Sequence, residues 1–175
     1  MKIVVAFLAA SALAQIAEPE FSGVFFGIAS DKLIPLERQT ATVHAGLKFG
    51  GFGGMKAASQ FKPGKSPVRF KARNPIAFIV RSGIAGSTVD PNTIYVLRAL
   101  KAGGSKRELV MLQSHGPMGM GGADANMAEG VIAVHFEKYG ANSLKMAADQ
   151  PLPPGEYAVS VRQAMVDVFC FGVDK

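Results

Sequence analysis

The chain has 175 residues, a length typical of one domain with its own apolar core. Apolar residues make up 49% of it and charged residues 18%, a composition that excludes disorder of the whole chain. The formal net charge is +6, but the Lys and Arg residues are spread along the sequence. The single cysteine, Cys170, excludes an internal disulfide, and its apolar surroundings predict that it is buried.

A secretory signal peptide is predicted at residues 1–14. Lys2 places a positive charge before the uncharged apolar run IVVAFLAASALA, and residues 12–14 form an A-x-A cleavage site. This run is shorter than the roughly 20 apolar residues that a transmembrane helix requires. We therefore expect residues 15–175 to be exported to the periplasm or beyond the cell. We expect them to form a single domain with no membrane span and no nucleic-acid partner.

The remaining sequence shows the patterns of β-strands, with no long amphipathic helix between them. The predicted strands cover residues 23–28, 33–47 (as two short strands or one bent strand), 66–72, 75–81, 93–101, 106–114, 130–140, 143–148, 155–162 and 166–173. The nearly continuous apolar run at 75–81 is typical of a central strand, and the Gly-rich residues 102–105 predict a hairpin. About nine strands with frequent turns predict an all-β protein, an antiparallel β-sandwich.

One local motif makes the predicted sandwich more specific. The turn at residues 153–155 precedes a strand whose alternation places Tyr157, Val159 and Val161 on one face. A tyrosine just after a turn, at the start of a late strand, is typical of the tyrosine corner of immunoglobulin-like folds. We therefore predict an immunoglobulin-like sandwich.

Two Gly-rich segments, 47–65 and 116–130, are predicted as loops, the first as a surface loop or a mobile hairpin. The first segment leads into the tripeptide GKS at 64–66, which matches the end of a phosphate-binding loop. Ser59 occupies the position where that motif requires its first glycine, and Pro67 opens a β pattern in place of a helix. We therefore expect no nucleotide site.

The second Gly-rich segment and its approach carry the most suggestive chemistry in the chain. His115, Met118, Met120 and Met127 lie close together there, and thioether and imidazole ligands suit copper, Cu(I) in particular. The alternative is that the methionines pack the loop onto the sandwich. No pattern of a nucleophile with its base, or of paired catalytic acids, stands out elsewhere. We therefore predict no catalytic residue and no other cofactor.

Five stretches, EPEFSGVFF, LIPLERQ, KSPVRFKA, PLPPGEYAVSV and VFCFGVD, resemble a group of uncharacterised exported bacterial proteins that are thought to be β-rich. The resemblance implies a β-rich fold and an exported location, and it implies no catalytic residue. We expect a non-catalytic β-sandwich that serves as an interaction or envelope-associated module, with a protein or an envelope component as partner. The alternatives are a periplasmic copper-binding protein that uses the Met/His loop, and an enzyme of unrecognised type.

Overall fold

The computed structural model describes residues 17–47, 55–72, 75–114, 123–124, 130–162 and 164–175. These residues form fifteen β-strands and a short 3₁₀ turn, Pro91–Thr93, and they contain no α-helix. The strands are β1 (Phe25–Ala29), β2 (Lys32–Pro35), β3 (Glu37–Thr40), β4 (Thr42–Leu47), β5 (Met55–Phe61), β6 (Arg69–Lys71), β7 (Ala77–Arg81), β8 (Tyr95–Gly103), β9 (Lys106–Ser114), β10 (Ala123–Asp124), β11 (Val131–Ile132), β12 (Val134–Tyr139), β13 (Ser143–Ala148), β14 (Gly155–Val161) and β15 (Ala164–Asp174). The prediction of an all-β protein is confirmed.

The strands form two sheets. The five-stranded sheet has the order β12-β13-β7-β1-β2, so that β7 is central, as its apolar sequence predicts. The ten-stranded sheet runs β3-β15-β14-β8-β9-β5-β4, with β6 beside β15, β10 beside β9 and β11 beside β8. Neighbouring strands are antiparallel, apart from β6, which pairs with β15 in parallel. The predicted hairpin between β8 and β9 is present.

A large apolar cluster lies between the two sheets. Phe25 and Phe78 of the five-stranded sheet meet Tyr95 and Phe171 of the ten-stranded sheet there, and all four side chains are buried. The ring centroids of Phe78 and Phe171 are 4.7 Å apart. The two sheets therefore pack face to face through the alternate apolar residues of their strands.

The ten-stranded sheet also curls around a second, smaller apolar cluster. Phe61 of β5 and Cys170 of β15 both belong to this cluster, although three strands separate β5 from β15. A flat sheet would hold them about 19 Å apart, at about 4.8 Å per strand. Ala41, which alone separates the edge strands β3 and β4, packs against the same cluster. The chain thus passes directly from one edge of the sheet to the other, and we call the face with this cluster the concave face.

The strand count differs from the predicted nine because single predicted segments divide into several strands. The segment 33–47 holds most of β2, β3 and β4, with Leu36 and Ala41 between them. The segment 130–140 holds β11 and β12, which belong to different sheets and are separated by Ala133. Pro35 ends β2 at the edge of its sheet, where a residue without an N–H donor is tolerated.

A strand also occupies part of the first Gly-rich segment, 47–65. There β5 pairs with β4 on one side and with β9 on the other, although its sequence, MKAASQF, is rich in small and polar residues. The β4–β5 pairing is that of a hairpin, and residues 48–54 lie outside the described part of the chain. Of the second segment, 116–130, the structure describes β10 and Gly130.

Tyr157 makes the contact of a tyrosine corner. Its hydroxyl donates a hydrogen bond to the carbonyl oxygen of Pro153 at 2.6 Å, and its ring stacks on Phe171. Val161, at the end of β14, continues the same alternation by pairing with Tyr95 of β8, and it is 39% exposed. An immunoglobulin-like topology is not confirmed, because that fold divides about seven to nine strands between two sheets and the described residues form fifteen, with one sheet curled.

Gly27 of β1 provides a test of the packing between the sheets. A Cβ atom at Gly27 would lie 2.2 Å from Cζ of the buried Phe70 ring, whereas a Cβ atom at Gly46 of β4 would meet nothing within 4 Å. We expect Gly27→Ala to lower the free energy of unfolding by about 1–3 kcal/mol, the usual cost of overpacking. Gly46→Ala is the matched control and should not destabilise the protein. Urea unfolding of both variants makes the comparison, and equal stabilities would contradict this packing.

Candidate functional site

Arg107 of β9 is fully buried on the concave face of the ten-stranded sheet. Its Nη1 and Nη2 atoms donate to the two carboxylate oxygens of Glu37 of β3, at 2.9 and 3.2 Å. Its Nε atom donates to the carbonyl oxygen of Pro63 at 2.9 Å. Nη1 also lies 3.7 Å from Oε2 of Glu156 of β14. The guanidinium therefore joins two strands and a loop through a bidentate pair and a main-chain hydrogen bond.

Glu156 extends this contact to β6. It accepts hydrogen bonds from Nη1 of Arg69 and from the backbone N–H of Ser66, the latter at 2.9 Å. Nη2 of Arg69 also donates to Oδ1 of Asp174 at 2.6 Å. We call the five charged residues Glu37, Arg107, Glu156, Arg69 and Asp174 the ion-pair network. It connects β3, β9 and β14 with β6 and the end of β15.

The ion-pair network lies where the sequence alternation directs it. In β14, Tyr157 and Val159 face the large cluster, so Glu156 and Ala158 face the concave side. A buried charge is strongly unfavourable unless it is paired, and each member of the network has an oppositely charged partner. The network therefore stabilises the curl of the sheet. The carboxylates of the network contribute by accepting hydrogen bonds from its two guanidinium groups. Hydrogen bonding to Asp174 raises the pKa of Arg69, which keeps this guanidinium charged.

Cys170 is buried against the network, as the sequence predicts. Its side chain has no exposed surface, and burial raises the pKa of the thiol to about 12. A nucleophilic cysteine needs a thiolate, so a thiol with this pKa acts as an apolar packing group.

Four clefts in the surface of the ten-stranded sheet adjoin one another. A cleft of about 460 Å³, beside the Arg69–Glu156 contact on the concave side, shares residues 102–103 with a cleft of about 180 Å³. Glu108 joins that cleft to one of about 250 Å³. His44 and Gln60 join this third cleft to a fourth of about 390 Å³. We call these four adjoining clefts the basic groove.

Cations predominate along the basic groove. Among the described residues, six cations line it, apart from the terminal Lys175: Lys56, Lys62, Lys65, Arg69, Lys101 and Lys106. The carboxylates that line it are Glu108, Glu156 and Asp174. Six cations against three carboxylates leave an excess of +3, half of the chain's formal net charge of +6. The fold therefore gathers into one groove charges that are spread along the sequence.

Glu108 lies in the middle of the basic groove. It accepts hydrogen bonds from Nζ of Lys56 and from Nε2 of Gln60, and Nζ of Lys106 lies 2.8 Å from its Oε1 atom. The contacts with Lys106 and Lys56 lower the pKa of this carboxyl to about 2. Glu108 therefore stays ionised over the ordinary pH range and holds the two lysines in position.

A separate cleft of about 510 Å³ lies beside the large cluster. Its walls are mostly apolar and include Ile28, Ile76 and Leu152, while Lys145 and Asp149 stand among its polar residues. Such a cleft could take a small apolar group.

The four residues predicted to bind copper, His115, Met118, Met120 and Met127, lie outside the described part of the chain, so the copper site stays a prediction. The same holds for the signal peptide at 1–14. Within the described ranges, no group of three or more His, Cys, Asp or Glu residues is placed to hold a metal ion. The same ranges contain no helix with the length and apolar character needed to cross a bilayer.

Sequence patterns do not single out the members of the ion-pair network. Glu37 and Arg107 are 70 residues apart, and each stands among strand residues whose alternation is equally typical of a solvent-facing charge. In GEYAVSV, the alternation separates Glu156 from Tyr157 correctly, but it does not indicate that the second face is buried as well. Comparison of the chain with known protein families, with curated proteins and with solved structures gave no match.

The pKa of Glu108 predicts a pH-dependent effect of its removal. Since this pKa falls from the ordinary 4.5 to about 2, the ionised carboxylate stabilises the folded state above pH 4.5, and the contribution is lost as the pH falls towards 2. We expect Glu108→Gln to lower stability at pH 7 by up to about 1 kcal/mol, the range for ion pairs that water reaches.

The difference in the free energy of unfolding between Glu108→Gln and the wild type should shrink as the pH falls from 4.5 to 2. Urea unfolding at pH 7 and near pH 2.5 measures this difference. Glu20→Gln is the control, because Glu20 makes no side-chain ion pair within the described ranges. A difference of equal size at both pH values would contradict the ion pairing of Glu108.

Proposed function

We propose that this chain is an exported, non-catalytic interaction module that associates with the cell envelope through the basic groove. The observation that carries the proposal is the groove itself, which consists of four adjoining clefts and has a cationic excess. Envelope surfaces are rich in anionic groups, which attract clustered Lys and Arg side chains. The apolar N-terminal run with its A-x-A site supports export.

The interaction role is also supported by how the buried charges are used. Catalytic acids and bases need a carboxyl or amine that can exchange protons with a substrate. Glu37 and Glu156 instead accept hydrogen bonds from buried or half-buried guanidinium groups. The buried ion-pair network therefore serves the fold. The charges that a partner can contact are those of the lysines at the surface.

A copper-binding protein is the second candidate function. The sequence feature that favours it is the grouping of His115, Met118, Met120 and Met127. A rise in melting temperature on addition of Cu(I) would support it, and no such rise would contradict it. An enzyme with its substrate in the apolar cleft is a further alternative, for which turnover by the purified protein would be the sign.

Cell fractionation tests the proposed function. The full chain is expressed in a bacterial host, and the exported protein is incubated with washed envelopes at low ionic strength. We expect a product that lacks residues 1–14 and sediments with the envelopes, and we expect release at about 0.5 M salt, where charges are screened within a few ångströms. Protein that keeps Met1 and stays in the cytoplasm, or that does not sediment at low salt, would contradict the proposal.

A further inference from the structure

We propose that the basic groove binds a linear acidic polysaccharide, one that carries carboxylate or sulfate groups at intervals along its chain. This inference rests on the proposed function, because it names the envelope component that the groove recognises.

Three of the clefts form an elongated surface. They lie over β8, β9, β5 and β4, which are neighbours in the sheet in that order. At about 4.8 Å per strand, this surface is roughly 15 Å long. The cleft beside Arg69 adjoins it at residues 102–103. An extended polymer fits such a surface better than a compact ligand, and a planar bilayer does not follow a groove.

The carboxylates of the groove do not pair with all of its cations. Glu108 is shared by Lys56 and Lys106, and Asp174 is held by Arg69. Lys62 and Lys65 are exposed, and neither has a carboxylate within salt-bridge distance in the described part of the chain. These two lysines flank Pro63 and Gly64 at the rim of the groove, so that anionic groups of a ligand can reach them.

Polar side chains accompany the cations at one end of the groove. Thr42, His44 and Gln60 line the last cleft together with Lys62. Hydroxyl, imidazole and amide groups can exchange hydrogen bonds with the hydroxyl groups of a sugar. The combination of cations with neutral polar groups matches a polymer that has both acidic groups and hydroxyls.

The ligand class follows from the charges of the groove and from the proposed export. The described lining residues offer Lys and Arg side chains to a polyanion. Nucleic acid is the other common polyanion, and double-stranded DNA is therefore one of the probes below. An acidic polysaccharide is the polyanion that an exported protein meets.

Binding of defined polymers tests the inference. The probes are polygalacturonate, which is carboxylated, heparin, which is sulfated, neutral dextran and double-stranded DNA, titrated by calorimetry at 50 and 200 mM salt. We expect at least one acidic polysaccharide to bind, more weakly at the higher salt, and dextran not to bind. Failure of both acidic polysaccharides, or tighter binding of DNA than of either, would overturn the inference.

Matched variants separate the groove from general charge. Lys62→Gln with Lys65→Gln removes two groove cations, and Lys32→Gln with Lys138→Gln removes two exposed lysines from the five-stranded sheet. The groove variant should weaken polysaccharide binding about tenfold or more, at roughly 1 kcal/mol for each lysine near an anionic surface. The control variant should change it less than about twofold. Equal weakening by both variants would show binding by net charge alone and overturn the inference.

The results also distinguish this inference from the proposed function. If the protein sediments with envelopes in a salt-dependent manner but binds neither acidic polysaccharide, the ligand is another envelope component and only the inference fails. If it binds an acidic polysaccharide through the groove but is retained in the cytoplasm with Met1, the ligand class stands and the exported role fails.

Discussion

The bidentate contact between the buried guanidinium of Arg107 and the carboxylate of Glu37 is the constraint on which the rest of the structure depends. Burying one of these charges alone would cost several kcal/mol, so the sheet must curl until β3 and β9 bring them together. Arg107 and Glu108 are adjacent in β9 and point to opposite faces. The contact that fixes the concave face therefore also positions Glu108, and with it the lysines of the basic groove.

The groove depends on the fold because its cations come from distant parts of the chain. Lys56 and Lys106 are 50 residues apart in the sequence and meet at Glu108 through the β5–β9 pairing. Basic residues that are spread evenly along the sequence thus come together in one cationic groove of the folded chain. The even spread of charge along the sequence underlies the expectation of no nucleic-acid partner, which stays a prediction.

Local patterns predicted the all-β class, the central position of β7, the β8–β9 hairpin and the contact of Tyr157. They predicted these features because alternation and turn residues act over a few positions. They did not predict β5, whose small and polar residues form a strand because β4 and β9 pair with it on both sides. They did not predict the Glu37–Arg107 pair, because its two residues meet only once the sheet curls.

A double-mutant cycle between Glu37 and Arg107 tests the central claim most directly. Free energies of unfolding are measured for Glu37→Leu, Arg107→Met and the double variant. We predict that each single change costs about 3–5 kcal/mol, because it leaves a buried charge without its main partner, and that the double variant recovers much of that loss. Single changes that cost less than about 1 kcal/mol, or costs that simply add in the double variant, would contradict the account.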